Sequence, residues 1–118
     1  MRKIYYSATC STCQRIMKGL KNSLRTFELN DIKVNKLTAK QLEELKSLSG
    51  SYEALFSRIA LKYRSLGLAN KNLTEGDYKK YILDEYTFLR RPVIVIDNKI
   101  FIGSAKSVIE QVHSALKK

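Results

Sequence analysis

Apolar and polar positions divide the chain into alternating strand-like and helix-like stretches. Ile4, Tyr5 and Tyr6, after a basic start, read as a short buried strand. Ala8 to Cys13 reads as a turn opening into a helix. From Cys13 the apolar residues fall at Cys13, Met17, Leu20 and Leu24, with Arg15, Lys18, Asn22 and Arg25 on the opposite side. That spacing of i, i+4, i+7 and i+11 keeps one helix face apolar. Phe27 and Leu29 alternate with polar residues and predict a second short strand.

Thr38-Ala39-Lys40-Gln41 has the form of a capping box, in which the Thr oxygen accepts from a first-turn amide and Gln41 reaches back. Leu42, Leu45 and Leu48 carry that helix forward until Gly50 stops it. Tyr52 to Leu66 reads as helical again, in one or two pieces, with Leu55, Phe56 and Ile59 on one side. Gly67 and Asn70 punctuate, and Thr74 caps a helix carrying Tyr78, Tyr81 and Ile82. The lone proline, Pro92, ends the helical region. Val93 to Ile96 is a β-branched run suited to a buried strand, Asp97-Asn98 is turn chemistry, and Ile100 to Ile102 reads as the return strand of a hairpin. Gly103 and Ser104 lead into a last helix with Val108, Ile109, Val112 and Leu116 inward. The order is β-α-β, a helical stretch, then β-β-α, an α/β pattern.

The composition narrows the class. With 118 residues and a hydrophobic fraction of 44%, the chain suits one folded domain and not a disordered segment. Its longest stretch without a charged side chain, Ile4 to Gln14, spans 11 residues. A membrane span needs ~20 mostly apolar residues, so none is expected. Met1-Arg2-Lys3 is basic, but no long apolar block follows it, which argues against a secretory signal. Two cysteines make no disulfide-dense scaffold, so the expected compartment is the cytoplasm. The net charge is +11, spread as +6 over residues 1–46 and +5 over residues 47–118. Such a spread suits a solvated surface, and it also suits attraction to anions, whether an oxyanion, a nucleic acid or an acidic partner.

The pattern with the most chemical content is Cys10-Ser11-Thr12-Cys13, at a strand-to-helix junction. Residues i and i+3 on a first helical turn lie side by side, ~5–6 Å apart at Cβ, so a reversible disulfide is feasible. Free amides and the positive end of the helix dipole favour a thiolate at Cys10, the predicted nucleophile. Cys13, deeper on the apolar stripe, is the predicted resolving thiol. The plain alternative is two half-buried structural cysteines. A zinc site would need four ligands, and the single histidine, His113, lies on the last helix as an expected surface residue, so no metal is predicted.

Several segments together resemble the ArsC/Spx family of glutaredoxin-linked arsenate reductases and Spx transcriptional regulators. They are Tyr6 to Arg15, Ala54-Leu55-Phe56-Ser57-Arg58, Leu66-Gly67-Leu68, and Leu89-Arg90-Arg91-Pro92-Val93-Ile94-Val95. The resemblance covers nearly the whole chain. It implies one thioredoxin-like (glutaredoxin-like) domain over residues 1–118: a mixed four-stranded sheet with a helical insertion at about 38–89. It implies that Cys10 is the family's nucleophile and that Arg91 faces it, that Arg58 belongs to an oxyanion site, and that Pro92 follows a cis bond. It further implies arsenate or another oxyanion as substrate, no bound cofactor, and glutathione or a glutaredoxin as reductant.

Guanidinium forks and helix amides suit a phosphate-shaped anion. Arg58 could equally be a surface helix charge.

Two departures shape the expectation. The reductases carry a third arginine shortly after the last strand, where this chain reads Ile102-Gly103-Ser104, and the single-cysteine reductases have no counterpart of Cys13. The cysteine pair is similar to that of Spx, whose thiols form a redox switch. In that alternative Gly50 matches a glycine that meets the C-terminal domain of the RNA polymerase α subunit, although Gly50 also suits a plain helix end. The chain is shorter past its last helix than Spx. Direct nucleic-acid binding is not expected. The two leading readings are therefore an arsenate reductase-like thiol oxidoreductase and an Spx-like redox regulator. A glutaredoxin-like disulfide reductase without anion specificity is the third.

Overall fold

The structure, a computed structural model, describes residues 1–117. Among the described residues there are four strands: β1 (Arg2–Tyr6), β2 (Glu28–Asp31), β3 (Val93–Ile96) and β4 (Lys99–Ile102). Five α-helices accompany them among the same residues: α1 (Ser11–Leu20), α2 (Ala39–Ser49), α3 (Leu61–Ser65), α4 (Glu75–Asp84) and α5 (Lys106–Leu116). The sheet order is β2-β1-β3-β4, with β1 parallel to β2 and the other two pairings antiparallel. This is a mixed four-stranded sheet in a thioredoxin-like α/β fold with a helical insertion, the architecture that the family resemblance implied and that the element order matches.

The chain forms two compact units, one of residues 1–35 and 91–118 and one of residues 36–90. In the first, the register sets Ile4 opposite Ile94 and Ile94 opposite Phe101, so these side chains share one sheet face. With Ile16 and Leu20 of α1, Phe27 and Val112 of α5 they form one buried cluster. The register also aligns Leu29 with Ile4, but on edge strand β2 it remains 44% exposed, so the expected alternation there is only half realised. Helix α1 stops at Leu20, and Lys21, at φ +34°, opens a 3-10 segment over Lys21–Thr26. Leu24 therefore extends the apolar stripe from a tighter coil than the predicted helix.

In the second unit, α2 and α4 start at full capping boxes, Thr38 with Gln41 and Thr74 with Asp77. Gly50 ends α2 at φ +93°, its amide bonded to the Lys46 carbonyl, a left-handed C-cap that glycine adopts freely. Between α2 and α4 the expected helical stretch over 52–66 is realised as two short pieces, a 3-10 turn and α3, with non-helical backbone between them. Glu53–Leu55 is a single 3-10 turn, and Phe56 then pairs antiparallel with Leu89. The Ser57 amide donates to the Phe88 carbonyl and the Arg90 amide to Leu55, so this backbone takes its partners from a distant segment. The helical face breaks there: Leu55 and Phe56 are buried, whereas Ile59 is 93% exposed. Phe56 stacks on Phe88 at 5.1 Å and packs against Tyr78 at 4.9 Å, which anchors this unit.

Candidate active site

The site is built on the turn from β1 into α1. The Cys10 amide donates to the Ser7 carbonyl at 3.0 Å, and the Gln14 amide donates to the Cys10 carbonyl at 3.0 Å. Cys10 thus occupies the N-cap, with extended backbone at φ −84°, ψ 113°. A Ser or Asp oxygen at an N-cap accepts from the second or third amide of the helix. Here a sulfur takes that place; it closes no capping hydrogen bond, but the amides of Cys13 and Thr12 favour its ionised form.

The turn itself is braced. Ser7, fully buried, shares a hydroxyl hydrogen bond with Thr9 at 3.0 Å. The Lys33 ammonium approaches the Thr9 hydroxyl at 3.5 Å, and the Gln14 side-chain amide donates to the Ala8 carbonyl. These supports escaped the sequence reading, although the density of Ser, Thr and Gln around the cysteines was a signal for them.

Cys10 and Cys13 are both free thiols, but they differ in setting. Cys10 is half-buried and Cys13 is buried. Partial burial pushes the Cys10 thiol up. The Cys13 amide, the Cys13 thiol, the Arg91 charge and the Thr12 amide outweigh it and hold Cys10 below the usual thiol value. Burial pushes Cys13 up to about 11, helped by the neighbouring Cys10 sulfur, against the Ser7 amide and Arg91, which favour its ionised form. The contrast separates one ionisable, accessible sulfur from one protonated, enclosed sulfur within a single helical turn.

Arg91 therefore acts on both sulfurs, and its bond to Pro92 is cis. The Pro92 carbonyl accepts from the Gly103 amide at 2.9 Å, which fixes the entry into β3. Arg58 lies in the 36–90 unit, where its guanidinium binds Glu53 at 2.8 Å and the Tyr78 hydroxyl at 3.0 Å and lies over the rings of Phe56 and Tyr78. The Glu53 hydrogen bond raises its pKa further. Gly50 is at the exposed end of α2, and an added Cβ would meet nothing within 4 Å. His113 is exposed on α5. Among the described residues, no three His, Cys, Asp or Glu side chains are grouped to hold a metal ion. Among them too, no helix is long and apolar enough to cross a membrane.

The fold is shared with known proteins. The profile of the ArsC family matches residues 5–112. The "Global transcriptional regulator Spx 2" of Bacillus anthracis is 22% identical over 102 residues, covering 85% of this chain and 77% of that protein. The solved arsenate reductase from Vibrio cholerae superposes with a TM-score of 0.72 at 19% identity, covering 97% of this chain and 96% of that one. An arsenate reductase (ArsC) related protein from Brucella melitensis gives a TM-score of 0.72 at 21% identity, covering 99% and 95%.

Proposed function

This chain belongs to the ArsC family, and on that premise we propose that it is a thiol-dependent oxidoreductase with Cys10 as nucleophile and Cys13 as resolving thiol. The observation that carries this reading is the Cys10 sulfur at the N-cap of α1, held ionisable by two backbone amides and Arg91, with a second thiol one turn away. The same amides and Arg91 suit a tetrahedral oxyanion such as arsenate.

In the arsenate form of the reaction, the Cys10 thiolate attacks arsenic(V) and displaces a hydroxyl, which leaves as water with a solvent proton. Cys13 then loses its proton to solvent, and its sulfur attacks that of Cys10. The electron pair of the sulfur–arsenic bond passes to arsenic, which leaves as arsenite. Two electrons have moved and the dithiol has become a disulfide. Glutathione or a glutaredoxin-type partner returns it to the dithiol by giving up two electrons and ending as a disulfide itself. The compartment that keeps such thiols reduced is the cytoplasm.

The test is turnover of arsenate with glutathione and glutaredoxin. Cys10→Ser should abolish it. Cys13→Ser should trap Cys10 in a mixed species that mass spectrometry detects. Full turnover by Cys10→Ser would overturn the assignment. A second reading, a redox-switched regulator contacting the α subunit of RNA polymerase, is favoured by the Spx 2 relative and by the cysteine pair. It predicts capture of the α C-terminal domain that changes with oxidation and is weakened by Gly50→Arg, and capture indifferent to both would remove it.

A further inference from the structure

A groove of about 300 Å³ runs between α1 and α5, within the unit that carries the cysteines. Its floor is apolar, from Ile16 and Ile109, and its rim carries Arg15, Lys106 and His113. No acidic side chain lines it, and Glu110, on the same helix, faces a different depression. Among the described residues none of the three rim groups has a carboxylate within 4.0 Å.

Gly19 sits in the wall of this groove, inside α1. A glycine in a helix interior costs about 1 kcal/mol relative to alanine. Nothing in the fold requires it: its φ is not positive, and an added Cβ would meet no atom within 4 Å. The space a side chain would take is the groove itself. The residue thus weakens the helix while keeping the groove open, which is what a binding surface needs and a structural surface does not.

We propose that this groove docks an acidic peptide segment of a partner protein, with one aliphatic side chain seated on Ile16 and Ile109 and carboxylates meeting Arg15, Lys106 and His113. The charge pattern selects this occupant: two cations without a carboxylate partner among the described residues, Arg15 and Lys106, and the His113 imidazole surround an apolar floor and complement an acidic, singly apolar segment. The site is separate from the cysteine chemistry, so it stands or falls independently of the redox reading.

The test is fluorescence anisotropy with a fluorescein-labelled Asp-Glu-Leu-Glu-Asp peptide. Gly19→Leu fills the groove and should keep or raise the melting temperature while weakening binding by about tenfold or more. Lys106→Glu should weaken it by a similar factor, whereas Lys40→Glu, the same charge change on α2, should alter it by less than about twofold. Replacing the probe's leucine with serine should weaken binding as well. Three outcomes would overturn the proposal. Gly19→Leu could bind as well as the parent chain. Lys40→Glu could weaken binding as much as Lys106→Glu, which would mean diffuse attraction to a +11 surface. Citrate could displace the probe and bind as tightly, which would mean a small-anion site. If Gly19→Leu fails to fold, the lysine pair and the serine probe decide the matter.

Discussion

Cys10 and Cys13 carry opposite perturbations three positions apart, and each has a measurable consequence. Arg91 stabilises the Cys10 thiolate, so Arg91→Ala should raise the pH at which that sulfur ionises. The midpoint of its ultraviolet thiolate absorbance should move up, and alkylation at neutral pH should slow several-fold; an unchanged midpoint would show that the helix amides suffice. Cys13 gives the reverse sign in stability. An unfolded thiol ionises near ~8.5, whereas the folded Cys13 keeps its proton to about 11. Its contribution is full below the unfolded value and is lost as pH rises through the folded one. Denaturation midpoints measured across this alkaline window should fall more steeply for the parent chain than for Cys13→Ala. The spacing and the preceding strand made both sulfurs visible in the sequence. The brace from Lys33 was not visible, because it reaches the turn from the segment after β2, 24 residues away from Thr9.

Helix starts depend on local chemistry and are correspondingly readable. The Thr38 hydroxyl accepts from the Gln41 amide at 3.1 Å while the Gln41 side chain accepts from the Thr38 amide at 3.0 Å. Thr38→Ala should therefore cost ~1 kcal/mol, read from urea unfolding, whereas Thr38→Ser should cost little. An equal loss in both would point away from the hydroxyl. The stretch over 52–66 is helical only in two short pieces, Glu53–Leu55 and α3, for a physical reason. Its apolar spacing suits a helix, but the backbone around Phe56 and Ser57 is claimed by Phe88 and Leu89, which periodicity cannot reveal. The Glu75 carboxylate adds to this by accepting from the amides of Tyr52 and Glu53 at 2.8 and 3.1 Å.

At the scale of the molecule, two compact units share 118 residues, and each has its own buried centre. In the 36–90 unit that centre is Phe56, which meets Tyr63, Tyr78 and Phe88. Phe56→Ala should cost ~3–5 kcal/mol, with amide exchange accelerating first within residues 36–90. Uniform acceleration across the chain would show instead that the units unfold together. The element order made the sheet and its helical interruption legible, since the segments on either side of residues 36–90 supply complementary strands. The division into two units was less legible, because no linker-like composition marks it. The sheet's outermost strands have a further consequence. β2 and β4 are four residues each, and Glu28, Asp31 and Lys99 place charges along them. Short, charged margins are poor templates for strand addition, so these borders should resist fibril growth even though the β3 interior is a run of four buried aliphatics.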